Sequence, residues 1–343
     1  MATHSKELRE VLLFILEIFA CIFIIGMFTC IMALVSASNK DSYTASLSLK
    51  KELLKNSPSP RIVIVGGSGT TAGINSEALF RETGYHPVNM GLFAGLGMRI
   101  LLRQVENNVR PGDIVLVVPE HELLQQPLYG DGYLVLKTLQ YNRGELSNIL
   151  YPHTLIVMLR AFPSWLSFIT DESAKRVYRL FVTTDDTFSE KLYRISNMNQ
   201  YGDLDTPLSS TTRLTSNDIA RGSIDFVRPA PDPAVMTLLQ GFIARVEQRH
   251  VQVYVVSPTT PQTVFTHNAA SITSSAAVLE ASIGAAHSIG SPNDFIYPDS
   301  DFLDSLAHLT TAGKNKRTKR IIELLRQKPQ YHAYASSTVV TPF

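Results

Sequence analysis

The hydrophobic positions form one long run near the N-terminus and several short runs farther along. The long run, residues 11–35, reads VLLFILEIFACIFIIGMFTCIMALV, and Glu17 is its only charged residue. About 20 apolar residues at 1.5 Å rise each cross the hydrocarbon core of a bilayer. The run therefore predicts an uncleaved transmembrane anchor. The alternatives are a buried core helix and a signal peptide, whose apolar region has only about 7–15 residues.

The short runs predict buried strands that alternate with helices. Residues 61–65 and 114–118 are continuous β-branched or aliphatic runs, and a shorter strand is predicted at 87–91. Helices are predicted over 76–83 and 97–107, between these strands. Two β-α-β passes within about 60 residues indicate a parallel sheet with helices on both faces. The predicted fold class is a three-layer α/β/α domain.

Beyond these runs, the pattern divides the chain into further segments. Residues 36–60 are polar, rich in Ser and Lys, and end in Ser-Pro-Ser-Pro, which is typical of a linker. Strong strand runs are missing over about 124–230, which predicts a helical insertion with helices near 133–150 and 155–169. The α/β pattern then resumes with a helix at 233–249, a strand at 251–256 and a last helix at 311–326. The predicted organisation is a tail at 1–10, an anchor at 11–35, a linker at 36–60, an α/β domain at 61–330 and a tail at 331–343.

Composition and charge exclude several classes of protein. The chain has 343 residues, 45% hydrophobic and 9% aromatic, which argues against disorder. A formal net charge of +1 gives no field for nucleic acid, so no nucleic-acid partner is predicted. The two cysteines, Cys21 and Cys30, both lie in the long apolar run, which excludes a disulfide scaffold and a cysteine-rich zinc domain. We predict no metal and no cofactor.

A small-residue loop directly follows the first predicted strand. Gly66-Gly67-Ser68-Gly69 would lie at the carboxyl end of that strand, where open α/β sheets bind ligands. A Walker A loop needs a Lys that this loop lacks, and a dinucleotide fingerprint needs an acidic residue about 20 residues on, after a clear second strand. The alternative to a ligand site is a plain tight turn. In a ligand site, Ser68 would be the reactive side chain.

Three further pieces accompany Ser68. Gly91 follows the second strand, where its N–H could face an oxyanion, and His121 follows the third strand as a donor or base. Asp304 and His308 precede the last helix, and such a pair can act as the orienting acid and the base of a nucleophile triad. Each piece alone also fits a turn or a solvated surface. The order Ser, Asp, His within one α/β domain favours the triad.

This order resembles the SGNH (GDSL-like) hydrolase superfamily. Ser68 matches the nucleophile of the first block, Gly91 the oxyanion glycine of the second, and Asp304 and His308 the last block. The separation of that last pair is four residues rather than three, which leaves Asp301 as an alternative acid. The third block has Pro-Glu-His-Glu at 119–122 in place of its usual asparagine donor, and His121 is a positional substitute.

The resemblance implies a membrane-anchored serine acyl-esterase or O-acyltransferase that acts on cell-envelope or secreted polysaccharide. The single span and the large insertion resemble the branch that works in exopolysaccharide O-acetylation or teichoic-acid D-alanylation. An acylated glycan as substrate, a membrane-bound O-acyltransferase as partner and an extracytoplasmic domain are therefore expected. The alternative is a non-catalytic accessory subunit that binds glycan or a membrane partner.

Overall fold

The computed structural model describes residues 2–37, 40–125, 128–182, 192–204, 214–215, 218–219 and 230–331. The predicted C-terminal tail after Tyr331 and much of the predicted insertion between 183 and 229 lie outside these residues. The helices are α1 Ala2–Ser36, α2 Ser46–Asn56, α3 Ser68–Thr71, α4 Ser76–Thr83, α5 Met98–Glu106, α6 His121–Gln125, α7 Gly132–Tyr141, α8 Leu146–Ile149, α9 Pro152–Arg179, α10 Pro233–Glu247, α11 Gln262–Ile283 and α12 Thr311–Leu325. The strands are β1 Arg61–Gly66, β2 His86–Asn89, β3 Ile114–Val118, β4 Gln252–Val256, β5 Thr260–Pro261, β6 Ser288–Ile289 and β7 Ile296–Tyr297.

Five of the strands form one parallel sheet in the order β2-β1-β3-β4-β6, and β5 pairs with β7 in a separate parallel ribbon. In the register of the large sheet, Val63 lies beside Val88 on one side and beside Val115 on the other. The chain leaves β1 toward β2 at the edge and returns on the other side of β1 to form β3. The strand order therefore reverses between β1 and β3, and open α/β sheets bind ligands at the carboxyl end of such a point.

The sheet is covered on both faces, which follows from the alternation of side chains along β1. Ile62 and Ile64 point into a hydrophobic layer that they share with α4 and α12, whereas Val63 and Val65 point into a layer that they share with α2, α5 and α10. Every residue of β1 and β3 is buried. Continuous apolar strands of this kind are buried on both faces, so the predicted α/β class with a parallel sheet is confirmed.

One N-terminal helix is long and apolar enough to cross a membrane. Its apolar stretch covers Arg9–Ser36, and none of that stretch's most apolar window is buried against the rest of the protein. Near its C-terminal end, α1 contacts the helices of the predicted insertion: Ser173 of α9 donates to Met32 O at 3.0 Å, and Gln140 of α7 donates to Ala33 O at 3.0 Å. The apolar helix is therefore held against the domain by side-chain bonds near its C-terminal end.

The predicted linker at 36–60 is instead a packed part of the domain. Residues 46–56 form α2, whose Leu47 and Leu54 are fully buried in the layer beside β1. Asn142, directly after α7, accepts from both the backbone and the hydroxyl of Ser48, at 3.1 and 2.8 Å. The polar composition of this segment hid a packed helix, because the buried face that carries Leu47 and Leu54 also carries a charged residue, Lys50.

Lys50 of α2 is a fully buried cation, and it bonds the backbone rather than a carboxylate. Its Nζ donates to Asn89 O at 2.8 Å and to Gly202 O at 2.7 Å. Burial lowers the pKa of Lys50 from 10.5 to about 7, and the charge of Asp203 acts in the opposite direction. Unfolded Lys50 keeps its proton up to about pH 10, so the unfolded state binds more protons than the folded state between about pH 7 and 10.

The free energy of unfolding should therefore rise with pH across this window, on the order of 4 kcal/mol from Lys50 alone. Lys50→Met should flatten the rise, which urea unfolding of the detergent-solubilised chain at several pH values would measure. The matched control is Lys55→Met, an exposed position on the same helix that should retain the rise. Equal pH dependence in Lys50→Met and the unmodified protein would contradict this assignment.

The predicted insertion contributes directly to the α/β domain. Residues 192–204 form a short segment whose Leu204 N–H donates to Thr71 O at 3.0 Å, beside β1. Asp203 of this segment accepts from the backbone and the hydroxyl of Ser76 and from Asn89 Nδ2, each at 2.7 Å. This part of the insertion is therefore bonded into the carboxyl edge of the sheet.

Candidate active site

The strand order brings two sequence pieces together at the carboxyl edge of the sheet. Ser68 is the first residue of α3, directly after β1, and Glu120 follows β3 on the neighbouring strand. The short helix α3 is capped by Gly67, so the chain turns sharply after the strand and presents Ser68 at the edge. A cavity of about 340 Å³ opens here and is lined by Ser68, His308 and Glu120 among others.

The structure joins Ser68, His308 and Asp304 into one hydrogen-bonded chain. His308 Nε2 lies 2.7 Å from Ser68 Oγ, and His308 Nδ1 lies 2.8 Å from Asp304 Oδ1. A consistent assignment has Nδ1–H donating to Asp304 and Ser68 Oγ–H donating to Nε2. This is the geometry in which an imidazole can take a proton from a hydroxyl while a carboxylate holds its tautomer.

The pKa of Asp304 lies below its ordinary value. Burial alone would raise the pKa of this carboxyl, but hydrogen bonds from His308 and Tyr193 and the charge of His308 more than offset the burial. Asp304 is thus ionised at neutral pH and can stabilise an imidazolium at His308.

The alternative acid, Asp301, forms an ion pair away from His308. Asp301 Oδ2 pairs with Lys316 Nζ of α12 at 2.7 Å, and its side chain is 7% exposed. Its backbone carbonyl accepts from Thr310 N at 2.8 Å, just before α12 begins. Asp301 therefore anchors the start of the last helix, and the structure places Asp304 rather than Asp301 against the imidazole.

Tyr193 is a member of the site that the sequence analysis missed. Its hydroxyl lies 2.5 Å from Asp304 Oδ2, to which it donates, and 2.8 Å from His308 Nδ1. Burial and the neighbouring Asp304 raise the pKa of Tyr193 far above its ordinary value, so its hydroxyl keeps the proton that it donates. Tyr193 lies 111 residues from Asp304 in sequence, within the predicted insertion, and no local motif marks it.

Tyr193→Phe removes one of the hydrogen bonds that Asp304 accepts, and Tyr193 does not line the cavity. A hydrogen bond to a charged group contributes about 1.5–3 kcal/mol, so kcat on a model acyl ester should fall roughly 10- to 100-fold. KM should stay unchanged, because the hydroxyl positions Asp304 and does not touch substrate. Tyr254→Phe, which removes a hydroxyl bonded to Gln252 and Gln330, is the control. An unchanged kcat in Tyr193→Phe would contradict the positioning role.

Glu120 explains why the loop around Ser68 is built from glycine. Its carboxylate accepts from Gly69 N at 2.7 Å and from Gly67 N at 3.0 Å, so it bonds the backbone on both sides of Ser68. A Cβ on Gly67 would lie 2.5 Å from each of these carboxylate oxygens. Burial raises the pKa of Glu120, although the two N–H groups and the charge of Arg317 oppose that rise. Glu120 therefore fixes the backbone of the loop that carries Ser68.

Arg317 of α12 holds the same loop from the other side. Its Nη1 donates to Gly69 O at 3.0 Å, and the side chain is almost entirely buried. Gly69 thus donates to Glu120 and accepts from Arg317. The last helix and β3 together set the backbone on which Ser68 lies.

The N–H of Gly91 does not face the cavity, contrary to its predicted oxyanion role. It donates to Asn89 Oδ1 at 2.9 Å, and the Gly91 carbonyl accepts from Thr71 Oγ1 at 2.8 Å. A Cβ on Gly91 would lie 2.6 Å from Thr71 Oγ1, so close packing against α3 explains the glycine. Among the described residues, the N–H of Ser68 has no hydrogen-bond acceptor, so it is available to donate to a bound group.

His121 lines the cavity, but its ring is bonded within the fold. Its Nε2 lies 2.8 Å from Thr260 Oγ1, and burial lowers its pKa to about 4. The ring is therefore neutral at physiological pH, and its Nε2 is bonded to Thr260 rather than left for a ligand. In the part of the chain that the structure describes, no group of three or more His, Cys, Asp or Glu side chains is arranged to hold a metal ion.

Comparisons with protein-family models, with curated proteins and with solved structures found no match to this chain.

Proposed function

We propose that this chain is a membrane-anchored serine acyl-esterase or O-acyltransferase of the SGNH type. The observation that carries the proposal is the hydrogen-bonded series Ser68–His308–Asp304, with separations of 2.7 and 2.8 Å, beside a cavity at the carboxyl edge of a parallel sheet. The series joins residues 240 positions apart, which no local turn would do.

In the proposed mechanism, His308 Nε2 takes the proton of Ser68 Oγ while this oxygen bonds to the carbonyl carbon of an acyl ester. The carbonyl oxygen becomes an oxyanion, and the Ser68 N–H donates to it. One such donor contributes about 3 kcal/mol. Collapse of the tetrahedral intermediate breaks the bond to the leaving oxygen, which takes the proton from His308. Water or a sugar hydroxyl then attacks the acyl-serine by the same path in reverse.

We infer a polysaccharide of the cell envelope or a secreted polysaccharide as the acyl acceptor or donor, with an O-acyltransferase of the membrane as partner and the domain outside the cytoplasm. The span at Arg9–Ser36 and the resemblance in block order support this inference. Charge does not decide the orientation, because Lys6 and Arg9 precede the span and four lysines follow it, three of them ten or more residues beyond its end.

One observation favours a second candidate function, a non-catalytic subunit that binds glycan or a membrane partner. The backbone donors at Gly67, Gly69 and Gly91 are all used by Glu120 or Asn89. An ionised Glu120 next to a developing oxyanion would also oppose its charge. In that function the fold would be kept while acyl turnover is absent.

Labelling with a fluorophosphonate probe separates the two functions. If Ser68 is an activated nucleophile, the probe should modify Ser68 in the detergent-solubilised full chain, and mass spectrometry of the peptide reads out the site. Ser68→Ala should abolish labelling, whereas Thr259→Ala, which removes another hydroxyl lining the same cavity, should leave it intact. If the Ser68→Ala variant is labelled as strongly as the unmodified chain, Ser68 is not the nucleophile. No labelling, together with glycan binding by the unmodified chain, would favour the accessory subunit.

A further inference from the structure

A second and larger cavity, of about 700 Å³, lies between α5 and α10, close to the start of α9. Its charged lining residues are Arg99, Arg103, Glu106 and Arg245. The rest of the wall is formed by leucines, by Tyr151 and by three small residues of α10, which are Ala234, Thr237 and Gly241. None of its lining residues belongs to the cavity at Ser68, so the mechanism proposed above does not use it.

Two of the arginines have no anionic partner. In the residues that the structure describes, the guanidinium groups of Arg99 and Arg103 have neither a carboxylate nor a hydrogen-bond acceptor. The Nε atoms of both are buried without a partner. An arginine presents five N–H donors, and buried donors without acceptors cost free energy.

Aromatic rings hold both guanidinium groups in place. The Arg99 guanidinium carbon lies 5.4 Å from the ring centre of Tyr129 and 5.5 Å from that of Tyr151, and the Arg103 carbon lies 5.9 Å from Tyr151. Tyr129 is itself stacked on His153 at 4.8 Å. Stacking restrains the guanidinium planes and leaves their N–H edges without acceptors. The two groups are thus pre-positioned before any ligand arrives.

The acid in the cavity does not neutralise this pair. Glu106 Oε1 accepts from Arg245 Nε at 2.6 Å, so its charge is balanced by the third arginine. Arg99 and Arg103 lie one turn apart on α5, where two like charges destabilise a helix. An anion between them would remove both the repulsion and the missing acceptors.

We propose that this cavity binds a phosphate group, with Arg99 and Arg103 donating to its oxygens. Guanidinium groups match the geometry of phosphate oxygens with paired N–H donors, which a single ammonium group does not. The apolar wall formed by Leu102, Leu128 and Leu238 suits a carbon chain or ring attached to the phosphate. The proposal does not depend on acyl transfer at Ser68, since it rests on different residues.

Chemical protection of the arginines tests the proposal on the unmodified protein. Phenylglyoxal labelling of the detergent-solubilised full chain is followed by mass spectrometry, with sodium phosphate added at constant ionic strength. At a phosphate concentration about ten times its dissociation constant, labelling of Arg99 and Arg103 should slow about tenfold, while labelling of Arg326 should not change. Arg326 is the internal control because it is paired with Glu82 away from the cavity. Equal labelling rates with and without any phosphate-bearing probe would overturn the proposal.

A second experiment distinguishes a soluble phosphate ligand from a lipid headgroup. Micelles containing phosphatidylglycerol are compared with micelles containing phosphatidylcholine in phosphate-free buffer. Protection by inorganic phosphate points to a soluble ligand, whereas protection by phosphatidylglycerol alone points to a lipid headgroup.

Variants provide an independent readout. The double variant Arg99→Gln/Arg103→Gln should lose the saturable upward shift in melting temperature that the protecting probe gives the unmodified chain, and Arg326→Gln should keep it. A shift of the same size in the double variant would place the phosphate elsewhere and overturn the assignment.

Discussion

Replacing His308 by alanine should lower kcat on an activated acyl ester by about 10⁴ to 10⁶. The Ser68 hydroxyl is a poor nucleophile without a base, and His308 Nε2 is the one described nitrogen bonded to its oxygen, at 2.7 Å. KM should change little, because the imidazole acts on the proton rather than on the acyl chain. Initial rates of ester hydrolysis by the full chain in detergent would measure the effect. Far-UV circular dichroism would show that the variant keeps its fold.

Two comparisons make this result specific. His267→Ala removes an exposed histidine of α11 and should leave the rate unchanged. Added imidazole should restore part of the rate of His308→Ala, because the truncated side chain leaves room for a diffusible base beside Ser68. If His308→Ala retained full activity, neither the base assignment nor the proposed acyl-serine path would stand.

The parts of the fold that were predicted from sequence are those whose burial is complete. The strands β1 and β3 are buried on both faces, so their sequences are continuous apolar runs that are visible without any partner. Helix α4 was also predicted at its observed bounds, and in the structure Asn75 caps it and Gly84, with φ of 73°, ends it. Local signals sufficed for these elements.

The elements that were missed depend on tertiary packing. Helix α2 buries a lysine. From sequence alone, a lysine indicates a solvent-exposed helix face, and only the structure shows that Lys50 is buried against the carbonyls of Asn89 and Gly202. The predicted linker was wrong for that reason. The short strands β5 and β7 have two residues each, too few for any periodic signal.

The site residues likewise divide into those that local sequence predicts and those that depend on tertiary contacts. Ser68, Asp304 and His308 follow strand ends or precede a helix start, so their positions were predicted by the order of elements. Tyr193 could not be identified from sequence, because its role depends on the contact with Asp304 that only the folded chain makes. Gly91 was misassigned because a glycine after a strand fits either close approach to a ligand or close packing, and here Thr71 occupies the space.

The loop around Ser68 is held in place without an asparagine after β3. Glu120 bonds Gly67 and Gly69, and Arg317 bonds the Gly69 carbonyl, so the backbone that carries Ser68 is fixed from both sides. Positioning of the nucleophile and stabilisation of the oxyanion are thereby assigned to different groups. Under the proposed function, turnover should therefore be slow, since one oxyanion donor fewer costs about 10²- to 10³-fold in rate.

Asp304→Asn should lower kcat by about two to four orders of magnitude while the fold is retained. An amide at this position can donate to His308 Nδ1 through its nitrogen, which favours the tautomer with the proton on Nε2. That tautomer cannot accept the proton of Ser68. The amide also brings no negative charge to stabilise the imidazolium. Rates on a model ester, with circular dichroism for folding, would measure the loss.

Asp301→Asn is the matched comparison, because Asp301 lies three residues away and is the other acid that the block spacing allows. Its carboxylate pairs with Lys316 at 2.7 Å and has no contact with His308 among the described atoms, so the rate should stay within about twofold of the unmodified chain. The acid would have to be reassigned if Asp301→Asn abolished turnover and Asp304→Asn did not. If both variants kept full activity, the imidazole would need no carboxylate, and the Ser68–His308 pair would have to act alone.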